Sequence, residues 1–124
     1  MMHDGSIISY SVDLEQKQII LTIKNNGVVN KLYFEDVLSN WFRYVLEGNA
    51  IYDVLIIKAE DFVSRFAKII LEGKGNGWPM RYRNLDELKQ KLEDSDYNIY
   101  NIEGAYGVDG WIIAKNMKME MIEK

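Results

Sequence analysis

The chain predicts an α+β fold, an antiparallel and strongly twisted β-sheet packed against two helices, in one domain spanning residues 1–124. Three observations predict it. Apolar and polar residues alternate through the first third of the chain, the period lengthens to a helical one between Ala59 and Leu92, and alternation returns from Tyr97 onward. A length of 124 residues suits a single domain with one real core.

The first strand rests on Ile8, Tyr10, Val12 and Leu14, with Ser9, Ser11 and Asp13 between them. After the polar break Glu15-Gln16-Lys17, the apolar residues Ile19, Leu21 and Ile23 mark a second strand, antiparallel to the first. Asn25-Asn26-Gly27 is a hairpin turn, because Asn and Gly tolerate the positive φ that tight turns require. A third strand follows from Val28 to Val37, completing a three-strand meander. The segment 38–47 carries two signals. Leu38, Trp41, Phe42, Val45 and Leu46 recur at helical spacing with Ser39 as a cap, yet Trp41 to Val45 is rich in aromatic and β-branched residues. Strand is the preferred reading, since a helix would follow the third strand with almost no connection. Gly48-Asn49 marks a turn, and the near-continuous apolar run Ile51 to Lys58 predicts a strand buried on both faces.

From Ala59 to Glu72, Phe62, Phe66, Ile69 and Ile70 form one helical stripe, with Glu60 and Asp61 at the positive end of the dipole and Gly73 as terminator. A loop from Gly73 to Pro79 leads to a shorter helix after Asn84. There Asn84 and Glu87 form a capping pair, Leu85, Leu88 and Leu92 an apolar face, and Asp94-Ser95-Asp96 the end. Tyr97 to Glu103 alternates again, and turn residues occupy Gly104 to Gly107 and Asp109-Gly110. The last strand, from Trp111, places Met117, Met119 and Met121 on one inner face, with a bulge near Lys115-Asn116.

Composition narrows the chemistry. Lys and Arg total 15 against 19 Asp and Glu, a net charge of −4. Nucleic-acid binders carry a basic face, so no nucleic-acid partner is expected, whereas a basic protein partner suits the field. No run approaches the length of a membrane span, and the start Met1 to Gly5 lacks the features of a secretory signal, so a cytoplasmic protein with no membrane association is expected. The absence of Cys excludes disulfides and thiolate chemistry. One His, His3, leaves no multi-histidine metal site within one chain and no base for a serine triad. No catalytic residue, cofactor or metal is expected.

Several motifs have two readings. Gly73-Lys74-Gly75-Asn76-Gly77 has the glycines of a phosphate loop but follows a helix instead of opening one, so it reads as a flexible connector. His3-Asp4 lacks further ligands and reads as a local hydrogen-bonding pair. Asp36, Asp53, Glu103 and Asp109 lie near strand ends, where turn duties account for most acidic residues; a small carboxylate-based enzyme would need Asp36 and Asp53 to converge in a pocket. Trp78, Arg81, Tyr82 and Arg83 combine the residue types enriched at binding hot spots and form the candidate protein interface. The other reading folds Trp78 and Tyr82 back onto the sheet and leaves the arginines solvated. Terminal strands can leave an unpaired edge, so a homodimer is open.

Four pieces taken together resemble a known group: His3 to Ile7, Tyr33-Phe34-Glu35-Asp36-Val37, Gly48 to Val54, and Tyr106 to Lys115. In that order they are similar to small Bacillus-type proteins, the YxiG-like group, some of which lie near polymorphic-toxin genes. The resemblance implies an α+β domain, favours strand over helix from Trp41 to Leu46, and points to neutralisation of a partner toxin. It carries no functional residue onto this chain. The expected function is thus a non-enzymatic protein-binding module, immunity-like in action, with a small ligand-binding domain or carboxylate enzyme as the alternative.

Overall fold

The computed structural model describes residues 5–43, 50–104 and 109–123. In chain order its elements are β1 (Gly5–Asp13), β2 (Gln18–Asn25), β3 (Val28–Arg43), β4 (Ala50–Ile57), α1 (Ala59–Gly73), α2 (Leu85–Glu93), β5 (Asn98–Gly104) and β6 (Asp109–Glu123). The α+β class holds: neighbouring strands all pair antiparallel, in the order β1-β2-β3-β6-β5-β4, and both helices are inserted between β4 and β5. The sheet also closes. Gly5 pairs with Ile51 and Ser6 with Ala50, joining β1 to β4 and completing a barrel. Closure depends on the summed tilt and stagger of all the strands, which no single strand pattern reports.

The N-terminal meander forms as its sequence requires. Asn26 and Gly27 are the two loop residues between β2 and β3, with φ of 51° and 81°. Both angles are positive, the condition for a tight turn whose twist matches the flanking strands. The predicted third strand and the ambiguous segment after it are one strand, extending to Arg43; residues 44–47 and the Gly48-Asn49 turn lie outside the described residues. The helical spacing has a physical origin. Asp36 takes a positive φ of 53°, and the β3–β6 register shifts between Val37 and Ser39. That shift turns the strand, so Val37 and Phe42 pack inward while Leu38 and Trp41 pack outward against the helices. A kinked strand buried on both faces imitates a helical stripe. Ser39 consequently caps nothing and is itself buried in the sheet.

Two cores result. The barrel interior takes side chains from every strand: Ile7, Ile19, Leu21, Ile23, Leu32, Phe34, Val54, Tyr100, Ile102, Ile112 and Ala114. The second core lies between the outer wall and the helices, where Phe62, Phe66, Ile70, Leu88 and Leu92 meet Ile99, Trp111 and Ile113. Trp111 to Ala114 is buried throughout because successive side chains feed the two cores alternately. No described helix is long and apolar enough to cross a membrane.

Three expectations need correction. On β1 it is Ile7 that is buried, whereas Ile8, Tyr10 and Val12 are exposed, as is Leu14 in the turn after the strand; a bulge between Ile7 and Ser9 shifts the register, and this half of β1 extends past its short pairing with β4. On β4 only Val54 of the described side chains is buried, and Ile56 is 63% exposed, because that end of the strand lies beyond the β1 pairing. On β6, Met117 packs against the interior but Met119 and Met121 are 56% and 57% exposed. The bulge expected in β6 near Lys115-Asn116 is found on the facing strand, between Val37 and Ser39, while β6 has its own extra residue nearer its end, at Ile122, opposite the step from Val29 to Asn30.

Candidate functional site

The loop from α1 to α2 is built by close approaches. A side chain on Gly73 would place its Cβ 2.3 Å from Cε3 of Trp78, so only glycine lets that indole lie across the helix end. The backbone then turns through a 3-10 segment, Lys74–Asn76, and Gly77 reverses it with a φ of 71°. Gly77 N–H donates to the Lys74 carbonyl at 3.0 Å and Trp78 N–H to the Gly73 carbonyl at 3.1 Å. The connector is therefore tied by its own backbone hydrogen bonds.

Of the four interface candidates, Trp78 and Tyr82 turn inward. The Trp78 ring lies 5.3 Å from Trp111. Tyr82 is buried, its hydroxyl donating to the Ile70 carbonyl at 3.2 Å, and burial raises its pKa. Arg81 and Arg83 remain exposed, on backbone that is anchored on both sides. Lys91 Nζ donates to the Arg81 carbonyl at 2.9 Å, and Asn84 caps α2 by accepting from Glu87 N–H at 2.9 Å. The sequence does not single out Lys74, whose Nζ lies 5.8 Å from the Tyr82 ring centre and which lines an open groove of about 420 Å³ with Asn76, Gly77, Arg81 and Tyr82. Its signal was the glycine loop itself, which sets Lys74 and Arg81 along one groove.

Glu87 locks this corner. Its carboxylate accepts from the Arg83 side chain at 2.6 Å and from Arg83 N–H at 3.0 Å, with Lys91 Nζ 3.6 Å away. The hydrogen bonds from Arg83 hold its pKa below the ordinary 4.5, with its charge and that of Lys91 adding to the effect. A carboxylate with a lowered folded pKa contributes stability that is present above its ordinary value and is lost as pH falls through the folded value. Glu87→Gln is therefore expected to lower stability by a constant amount at neutral and alkaline pH and to flatten the acid limb below pH 4.5, so that the two curves converge at low pH, as read by thermal melts across pH.

The carboxylates do not assemble. Asp36 on β3 lines a shallow depression with Gln16, Gln18 and Glu35, whereas Asp53 lies on β4, which stands three strands away from β3 in either direction round the barrel. Asp53, Glu103 and Asp109 do fall in one cross-strand row, a neighbourhood that sequence separation hides. Each has a donor close by in sequence: Asp53 accepts from Val54 N–H, Glu103 from Asn101 Nδ2, and Asp109 from Gly110 N–H, with Arg43 3.6 Å from Asp109. Among the described residues no three His, Asp or Glu side chains converge as a metal site. His3-Asp4 lies outside the described residues. Compared with protein families, curated proteins and solved structures, the chain matches none.

Proposed function

We propose that this chain is a non-catalytic protein-binding module of the immunity type, acting in the cytoplasm by covering the site of a partner such as a toxin. The observation that carries the reading is the pairing of a hydrogen-bonded backbone with exposed arginine side chains. Arg81 and Arg83 project from a loop whose backbone is tied down by Lys91 and Glu87 and whose aromatic residues are sunk in the second core. An arginine on pre-ordered backbone loses less freedom on binding, which favours a hot spot. Asp36 and Asp53, the carboxylates on which the enzymatic alternative rested, occupy separate strands.

The test is co-purification with the product of a neighbouring gene, combined with protection of cells from it. Arg81→Ala and Arg83→Ala are each expected to weaken the complex about tenfold or more, with the fold unchanged by circular dichroism. A chain that captures no partner and protects no cell refutes the proposal. The ligand-binding alternative draws on the groove between Lys74 and Arg81, whose two cations suit a small anion. Calorimetric titration of inorganic phosphate distinguishes it, since saturable binding lost in Lys74→Ala would favour the small ligand.

A further inference from the structure

Among the described strands, the second half of β6 is paired along one edge alone. β3 pairs with β6 from Val29↔Glu123 to Arg43↔Asp109, but β5 reaches only from Asn98↔Ala114 to Glu103↔Asp109. From Lys115 to Glu123, no described strand lies along the other edge. Proteins commonly guard such an edge with charge, lysine above all, because its unpaired backbone groups invite another strand. Lys118 and Glu120 stand on this edge, on the outer face, and Met117, Met119 and Met121 alternate with them on the face that carries Leu32 and Phe34.

We propose that a second copy of this chain covers the edge, with β6 pairing antiparallel to β6 of the second copy about a twofold axis at Met119. This proposal is independent of the partner-binding role. In that register residue numbers across the interface sum to twice 119. Lys118 then faces Glu120 of the second copy, and Glu120 faces its Lys118, so the charges that would repel most strands complement their own. Met117 faces Met121 of the second copy and Met119 faces itself, which covers thioether surface now exposed. Sliding the twofold by one residue sets Lys118 against Lys118 or Glu120 against Glu120, so the charges select the register.

The surrounding groups agree with it. Within one chain Lys118 Nζ lies 3.3 Å from Glu35, and the Tyr33 hydroxyl donates to Glu120 at 3.5 Å. Lys31 stands opposite Glu120 in the β3–β6 register. The row Lys31, Glu120, and Lys118 of the second copy therefore alternates in sign across the joined sheets. Lys118 is 73% exposed and has room to serve both neighbours.

Sedimentation equilibrium over a dilution series tests the pairing. The unaltered chain is expected to pass from monomer to dimer as concentration rises. Lys118→Glu or Glu120→Lys puts like charges opposite each other at two symmetry-related places and is expected to raise the dissociation constant about tenfold. Combining the two substitutions restores complementarity and returns the constant to within about twofold of the original. Met119→Lys, at an exposed position, sets two cations against each other at the axis and abolishes the dimer. Hydrogen exchange supplies a second reading, with the amides of residues 116–121 gaining protection as the dimer forms. A chain that stays monomeric at millimolar concentration, a dimer unmoved by either charge reversal, or a double variant as weak as the single ones overturns the proposal.

Discussion

Trp111→Ala is expected to lower the stability of the folded chain by about 4 kcal/mol. The indole is fully buried and is the centre of the second core. Phe62 meets it edge-on at 4.8 Å, Trp78 lies at 5.3 Å and Phe66 at 6.4 Å, so α1, the α1–α2 loop and β6 all lean on one side chain. Against a total of roughly 5–15 kcal/mol for a domain of this kind, the loss is large. In urea, with a slope of about 2 kcal/mol per molar, the midpoint is expected to fall by about 2 M. Trp111→Phe distinguishes packing from polar effects. The indole N–H has no acceptor among the described residues, so phenylalanine forfeits no hydrogen bond and is expected to cost less than half as much. Equal losses for the two variants would mean that something besides ring volume holds the helices down. Loosening Trp78 also removes the support of the loop that carries Arg81 and Arg83, so Trp111→Ala should weaken partner binding without touching either arginine.

What the sequence made legible was local. Asn26-Gly27 announced its hairpin because positive φ is a property of the residues themselves, and Asn84 with Glu87 announced the start of α2 because a cap needs one side-chain acceptor near the helix end. The stripe of Phe62, Phe66 and Ile70 was equally readable, since one helix face meets one core. Alternation misled where a strand outruns its neighbour. Tyr10, Val12, Met119 and Met121 lie at correct alternate positions but beyond the lengths of strand that would bury them, and those lengths are set by barrel stagger. The kink at Asp36 was hidden for a different reason: a positive φ at aspartate leaves no compositional mark comparable to Gly. For the candidate site, residue type singled out the loop. It could not say which of the four side chains point inward, because that depends on Gly73 admitting the Trp78 ring and on Ile70 offering a carbonyl to Tyr82.

Gly110→Ala is expected to cost about 3 kcal/mol through crowding, although glycine to alanine in a strand would ordinarily be mild or favourable. Gly110 pairs directly with Phe42, and a Cβ there would lie 2.4 Å from Cδ1 of that ring and 2.8 Å from the Trp41 carbonyl oxygen. The ring thus occupies the space that a side chain at position 110 would fill, and it continues to Tyr10 with 5.7 Å between ring centres. Neither obstacle is the free end of a flexible chain: one is an aromatic ring packed on the barrel interior, the other is backbone. A double-mutant cycle with Phe42→Ala separates them. In that background the ring conflict vanishes and only the carbonyl contact persists, so the cost of Gly110→Ala should fall by more than half, giving a coupling of about 1–2 kcal/mol. An unchanged cost would assign the whole effect to backbone displacement at Trp41. A near-zero cost in the unaltered chain would show that Phe42 swings aside freely, and β3 and β6 would then be joined at this end by their ladder and the Arg43–Asp109 ion pair, without the ring.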